Sequence, residues 1–358
     1  VLAVAPAFAE EPLVVVAVAR TGHIETFDAA LQHMATVEVG QQVESVSASP
    51  DGHRLYIAQE DSKASGTCCS LFSLDLQTKR MCLLTAPAMF GAPSPDGRFL
   101  FTQGKKGVDV FDASTLSPLP TMKAAGQFNL QPSPDGRWLY GIANSAKPSL
   151  TIFDMESRSS VRRLSIPAGP ATGAWSGDRF YVFSYSFDAV PDGIPNKGRL
   201  WTVRPEAPAI GQAIPIDLLD FHGACNQPVL LMLAGSADRL FLAEAFGFKV
   251  DRRLACPDAA IGGVYVIHPF TGRARRIAPT VQVKRMAVSP DGRDLYVIQS
   301  SGPSPLSNVR LLHIDTMTGR VVQSIALDSG DWNLTLARIP SALIARGQYW
   351  HAAESCSR

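Results

Sequence analysis

Three groups of side chains in this 358-residue chain are of types that do chemistry. The run DLLDFHGACNQ places His222 three residues before Cys225, with Glu244 and Cys256 further on. Their nitrogen, sulfur and oxygen donors suit zinc or copper if three or four of them converge. Asp188, Asp220 and Glu244 are carboxylates of the kind a hydrolase or lactonase gathers around one cavity, although carboxylates scattered on loops are otherwise solvated charges. Tyr185, Phe187, Phe246, Phe248 and Trp332, with Arg252 and Arg253 beside them, mix aromatic rings with a few charges as recognition surfaces do. The alternative for Phe246 and Phe248 is that they pin a long loop to its scaffold. No linear catalytic signature accompanies these residues: the chain has no G-x-S-x-G elbow, H-E-x-x-H pair, P-loop or dinucleotide fingerprint. His23, His33, His53, His268 and His313 fall at hairpin or strand positions that suit structural roles.

The elements that must position these groups are written in a repeat. SPDGHRLY from Ser49, SPDGRFLF from Ser94, SPDGRWLY from Ser133 and SPDGRDLY from Ser289 share one phrase, and SGDRFY from Ser176 and SADRLF from Ser236 are eroded copies. Proline presets φ at the first turn position, aspartate bonds its own backbone and glycine supplies positive φ, so the phrase is a hairpin turn between strands. Its aspartates, Asp51, Asp96, Asp135 and Asp291, are therefore turn residues rather than catalytic ones. A second hairpin follows in each unit, as in LTIFDMESRSSVRRL and LLHIDTMTGRVVQSI. Four strands in about 40 residues form the blade of a β-propeller.

Six units fall at about 43–86, 88–124, 127–167, 170–218, 228–280 and 282–327. LVVVAVA, HIETFDA and MATVEV near the start supply three more strands, and NLTLARIP from Asn333 supplies one. Three plus one completes a seventh blade and leaves no open sheet edge in the ring. The expected fold is all-β: a seven-bladed β-propeller with four antiparallel strands per blade, closed by N-terminal strands plus a C-terminal strand. Residues 10–340 form this single domain and 341–358 a tail.

The phrase and its spacing resemble the YVTN/YncE-type seven-bladed propellers over nearly the whole chain. The last blade, LLHIDTMTGRVVQSIALDSGDWNLTLARIP, is similar to the end of the propeller chain of quinohemoprotein amine dehydrogenases. That second likeness implies a periplasmic subunit with no cofactor of its own, which docks a small quinone-bearing subunit and a haem subunit.

In such a blade the first-to-second and third-to-fourth connections share one face and are short here. The other connections, Ala58–Thr67, Ser184–Gly198, Ala243–Gly263, Gln299–Ser307 and Asp217–Gln227, are long and varied, and binding concentrates on such loops. The candidate side chains cluster there, on consecutive blades. Cys225 and Cys256 lie on adjoining loops of that face and read as a disulfide, in preference to a metal site at His222. Cys82 lies near the short-turn face and pairs with Cys356 of the tail, which leaves Cys68 and Cys69 as a vicinal pair on the long-loop face, bonded to each other, reduced, or linked to another molecule. The tail, with Tyr349, Trp350 and His351 together, is either a docking segment or a cap on the outer blades.

Charge and composition narrow the partners. With 33 basic against 32 acidic residues and a net charge of +1, nothing favours nucleic acid. No apolar run reaches the roughly 20 residues of a membrane span. VLAVAPAFAEEP reads as the end of a secretory signal peptide over residues 1–9, cleaved after Ala9. Six cysteines fit an oxidising compartment. The expectation is a periplasmic or secreted propeller that binds or scaffolds a protein or ligand on its long-loop face and carries no cofactor. The alternatives are a dehydrogenase subunit, with quinone or haem on its partner, and a propeller hydrolase or lactonase.

Overall fold

The computed structural model describes residues 12–40, 42–60, 69–85, 88, 90–126, 128–143, 147–166, 171–185, 197–204, 210–211, 213–217, 230–245, 263–278, 283–300, 308–344 and 346–354. Among these residues the regular structure is all strand, in seven sheets. Strands β1 (Leu13–Ala19), β2 (His23–Asp28) and β3 (His33–Glu38) come first. Blade 1 takes β4–β7 (Val43–Ala48, Arg54–Glu60, Cys69–Asp75, Arg80–Thr85) and blade 2 takes β8–β11 (Ala92–Pro93, Phe99–Gly104, Gly107–Asp112, Pro118–Lys123). Blade 3 takes β12–β15 (Asn129–Pro132, Trp138–Ala143, Ser149–Asp154, Ser159–Ser165) and blade 4 takes β16–β19 (Ala171–Ser176, Arg179–Tyr185, Lys197–Val203, Ile214–Asp217). Blade 5 takes β20–β23 (Leu230–Gly235, Leu240–Ala245, Val264–Ile267, Ala274–Ile277) and blade 6 takes β24–β27 (Val283–Val288, Asp294–Ser300, Val309–Asp315, Arg320–Ala326). Strand β28 (Trp332–Arg338) then pairs antiparallel with β1, from Leu13↔Arg338 to Ala19↔Trp332, and completes blade 7 with β2 and β3. The first strands of neighbouring blades touch one another and form the inner ring. The seven-bladed propeller read from the repeat is the observed fold.

The recurrent phrase works as a turn for the reasons its residue types suggest. At Ser289 the hydroxyl donates to Asp291 Oδ1 (2.7 Å) and accepts the N–H of Asp294 (2.9 Å), while the Gly292 N–H closes on the Ser289 carbonyl at 2.8 Å. Gly52, Gly97, Gly136 and Gly292 have φ of 67°, 71°, 69° and 72°, the left-handed region that glycine occupies without strain. The Ser289 hydroxyl and the Arg293 backbone N–H hold the Asp291 carboxyl below the usual carboxylate range. In the eroded copies Ser176 pairs directly with Arg179, so two residues replace the longer turn.

Apolar packing lies between blades rather than at one centre. On β1, Val14, Val16 and Val18 pack towards blade 1, while Val15, Ala17 and Ala19 pack towards blade 6. A strand covered on both faces needs apolar residues at every position, which is why LVVVAVA shows no alternation. On the short-turn face, residues just after the phrase grip the next blade. Arg54 of blade 1 donates to the Ala113 and Ser114 carbonyls of blade 2, the Arg179 guanidinium of blade 4 stacks 5.0 Å over Phe270 of blade 5, and Arg239 of blade 5 reaches Thr316 and Met317 of blade 6. These latches tie neighbouring blades together on that face.

The tail is a cap. Strand β29 (Gln348–His351) adds in parallel to β3 at the outer edge of blade 7, and β30 (Ala353–Glu354) adds in parallel to β7 of blade 1.

Candidate functional site

The described second strands all end at the long-loop face, because each pairs there with the start of its inner strand: Gln59 with Val43, Gln299 with Val283, Ala19 with Trp332. Most of the candidate side chains belong to the loops beyond. Phe187, Asp188, Asp220, His222, Cys225, Phe246, Phe248, Arg252, Arg253 and Cys256 lie outside the described residues, as do Cys68 and Cys356. Tyr185 and Glu244 are described in the backbone: Tyr185 ends β17 opposite Gly198, and Glu244 sits on β21 opposite Leu231. The fold therefore brings these two positions to the same face on adjacent blades.

Trp332 is a correction. It is 2% exposed, and its ring meets His23 edge-on at 5.2 Å, with the indole N–H donating to the Asp328 carbonyl at 3.0 Å. The closing blade swallows the ring, so Trp332 supports the face from beneath and presents nothing to a ligand. Of the histidines, His313 pairs with Asp294 at 2.7 Å and stacks on Tyr296, and His33 pairs with Glu25 at 2.6 Å.

The cysteines sort by distance. Cys69 and Cys82 are each in a disulfide. They are not bonded to one another, because Cys82 lies opposite Ser73, four residues along β6 from Cys69, or about 13 Å of strand. Their partners lie outside the described residues.

A polar constellation that sequence reasoning missed occupies the described part of the long-loop face, across blades 6, 7 and 1. Arg20, just after β1, bridges Glu44 Oε1 at 2.7 Å and Glu60 Oε2 at 3.6 Å. Its backbone N–H donates to the Asp331 carbonyl at 2.8 Å. On the other side, Lys284 Nζ lies 3.9 Å from Asp331 Oδ1, and Arg285 Nε donates to Asn333 Oδ1 at 2.8 Å. Burial pushes the Lys284 ammonium down from its ordinary value and the Asp331 carboxylate opposes the shift. Glu44 and Lys284 share a local cause: the register slips between Val43 and Ser45 and between Val283 and Arg285, so each is the extra residue of a β-bulge on an inner strand. Bulges re-aim side chains at sheet rims, and here they turn opposite charges towards the two flanks of the closing blade. A signal existed, since Glu44 and Lys284 each stand five residues before the serine of a repeat phrase; the partners Arg20 and Asp331 are distant in sequence and carried none. Three cations and three anions at this rim offer fixed donors and acceptors beneath the long loops. Among the described residues no group of three or more metal-ligating side chains converges.

No family description and no curated protein matches the chain. Among solved structures it is similar to the hydrazine synthase of Kuenenia stuttgartiensis (16% identity, TM-score 0.57, 76% of each chain covered). It is also similar to the dihydro-heme d1 dehydrogenase NirN in complex with DHE (14% identity, TM-score 0.56, 96% of this chain and 78% of that one). A third is AztD of Citrobacter koseri (14% identity, TM-score 0.53, 90% and 83%). At these identities the likeness concerns the fold.

Proposed function

We propose that this chain is an exported binding or scaffold propeller that recognises a protein partner or ligand through its long-loop face, chiefly above blades 4 and 5, and needs no cofactor of its own. The observation that carries the reading is the asymmetry of the two faces. On one, short turns and arginine latches bind blade to blade; on the other, second strands hand over to long, varied loops rich in aromatic and charged residues. A base latched blade to blade, with long loops rich in aromatic and charged residues opposite it, is the arrangement on which recognition is built. Export is supported by Ala7-Phe8-Ala9 ahead of Glu10 and by the disulfides at Cys69 and Cys82.

The test is affinity purification of the whole chain from its native host, with mass spectrometry and a visible spectrum of the eluate, repeated with residues 186–196 and 246–262 replaced by short Gly-Ser turns. A stoichiometric partner lost with the loops supports the proposal. A small partner bearing quinone or haem absorbance, also lost with the loops, identifies it as a dehydrogenase subunit. A partner retained in full by the loop-replaced chain refutes recognition through this face.

A further inference from the structure

We infer that a disulfide between Cys82 and Cys356 locks the C-terminal strap across the seam of blades 7 and 1, and that a dithiol reductant releases the strap while the ring stays closed. This goes beyond ligand recognition at the loops and does not depend on it.

The strap leaves β28 through Ile339 and Pro340, turns with the Leu343 N–H on the Pro340 carbonyl, and sinks Ile344 into the apolar layer between blades 7 and 1, where Leu343 and Ala352 also pack. Arg346 then pairs with Asp28 at 3.1 Å, the Gly347 N–H donates to the Met34 carbonyl at 2.7 Å, and β29 runs beside β3. The Ala352 N–H closes on the Glu38 carbonyl at 2.8 Å before the chain crosses to blade 1. There β30 meets β7 through two residue pairs, Ala353↔Arg80 and Glu354↔Met81. Two pairs at a sheet edge hold little by themselves. A covalent bond at this end is what makes the crossing durable.

The pairing follows by elimination. Cys82 is in a disulfide. Cys68 adjoins Cys69 at the far end of β6, beyond the roughly 7 Å Cα separation a disulfide spans. Cys225 falls in sequence between β19 and β20 and Cys256 between β21 and β22, and these strands belong to blades 4 and 5, across the ring from blade 1. Cys356 follows Glu354 by two residues, and Glu354 is in register with Met81, the neighbour of Cys82. Reduction is a thiol–disulfide exchange: a thiolate of the external dithiol attacks one sulfur, and its second thiol resolves the mixed disulfide. Two electrons and two protons arrive at Cys82 and Cys356, which become thiols, and the dithiol leaves as its own disulfide. The β1–β28 pairing is untouched, so the opening is local. It bares the outer edges of β3 and β7, which are then free to accept an added strand.

The test uses the full chain, with disulfide mapping under non-reducing conditions and amide hydrogen exchange of wild type, Cys356→Ser and Cys82→Ser. Mapping is expected to give a Cys82–Cys356 peptide. Exchange over residues 348–354 is expected to quicken about tenfold or more in either variant, while that of β1 and β28 stays within about twofold. Cys356→Ser alters only the tail and decides the matter should Cys82→Ser fail to fold. A Cys82 linked to any other cysteine, or strap exchange within about twofold of wild type in Cys356→Ser, overturns the proposal.

Discussion

Trp332→Ala separates two roles for one residue, a contact on the recognition face or a filler of the closing seam. The structure places the indole in the layer between blades 6 and 7, with Tyr296, Ile298, Phe27 and Leu31 in the same cluster. Truncating a fully buried Trp costs about 3–5 kcal/mol, since the cavity it leaves relaxes only in part. Unfolding entropy of about 2.1 cal/mol/K per residue amounts to roughly 0.7 kcal/mol per degree for a chain of this length, so the thermal midpoint should fall by about 4–7 °C. Trp332→Phe keeps most of the packing but loses the indole N–H bond to the Asp328 carbonyl (3.0 Å). It should cost about 1–2 kcal/mol, or about 1–3 °C. Differential scanning calorimetry of the three proteins reads both shifts. Partner affinity measured well below the midpoints should be unchanged. A midpoint within about 1 °C of wild type for Trp332→Ala, together with lost binding, would refute the reasoning and return Trp332 to the recognition surface.

Gly52→Ala should destabilise far more than Gly97→Ala in denaturant titrations. Both glycines have positive φ, a strain of about 1–2 kcal/mol for alanine, but a Cβ at Gly52 would come 1.7 Å from the Arg338 carbonyl oxygen of the closing strand, whereas one at Gly97 meets nothing within 4 Å. Equal costs would show that the phrase of blade 1 does not abut β28. Asp112 accepts hydrogen bonds from Ser114 and Thr115 that lower its pKa to about 2 from 3.8. Its folded pKa is depressed, so its contribution is full above about 3.8 and is lost as pH falls towards about 2. Asp112→Asn should therefore flatten the acid limb of midpoint against pH in that window and nowhere above it. Arg20→Ala should cost only about 0–1 kcal/mol, because the Arg20 and Glu60 side chains are nearly half exposed; a loss above about 2 kcal/mol would mean that the ion pairs, rather than the β1–β28 ladder, hold the seam.

What was legible in the sequence was local or periodic. The Ser-Pro-Asp-Gly phrase contains its whole turn: hydroxyl, carboxylate and glycine satisfy one another within six residues, as at Ser289 to Asp294. Counting such phrases gave the blades, and the surplus of three strands at one end and one at the other gave the closure seen in the β1–β28 pairing. LVVVAVA near the start was legible as a strand, and the structure covers it on both faces. The sequence also marked which face bears the long loops, since that follows from where the short turns fall.

Contacts between chain-distant residues were decided only by the tertiary structure. Arg20 meets Glu44 and Glu60, and Lys284 meets Asp331, because the ring brings blade 7 between blades 1 and 6. Trp332 looked like a surface aromatic at a strand start, yet it is buried because ring closure covers it from the His23 side. The tail, readable as either a docking segment or a cap, became a cap once β3 and β7 offered it open hydrogen-bonding edges. A turn's energy is settled by neighbours in sequence, so the chain spells it out. Burial and ion pairing at the seam depend on neighbours that exist only after the ring has closed.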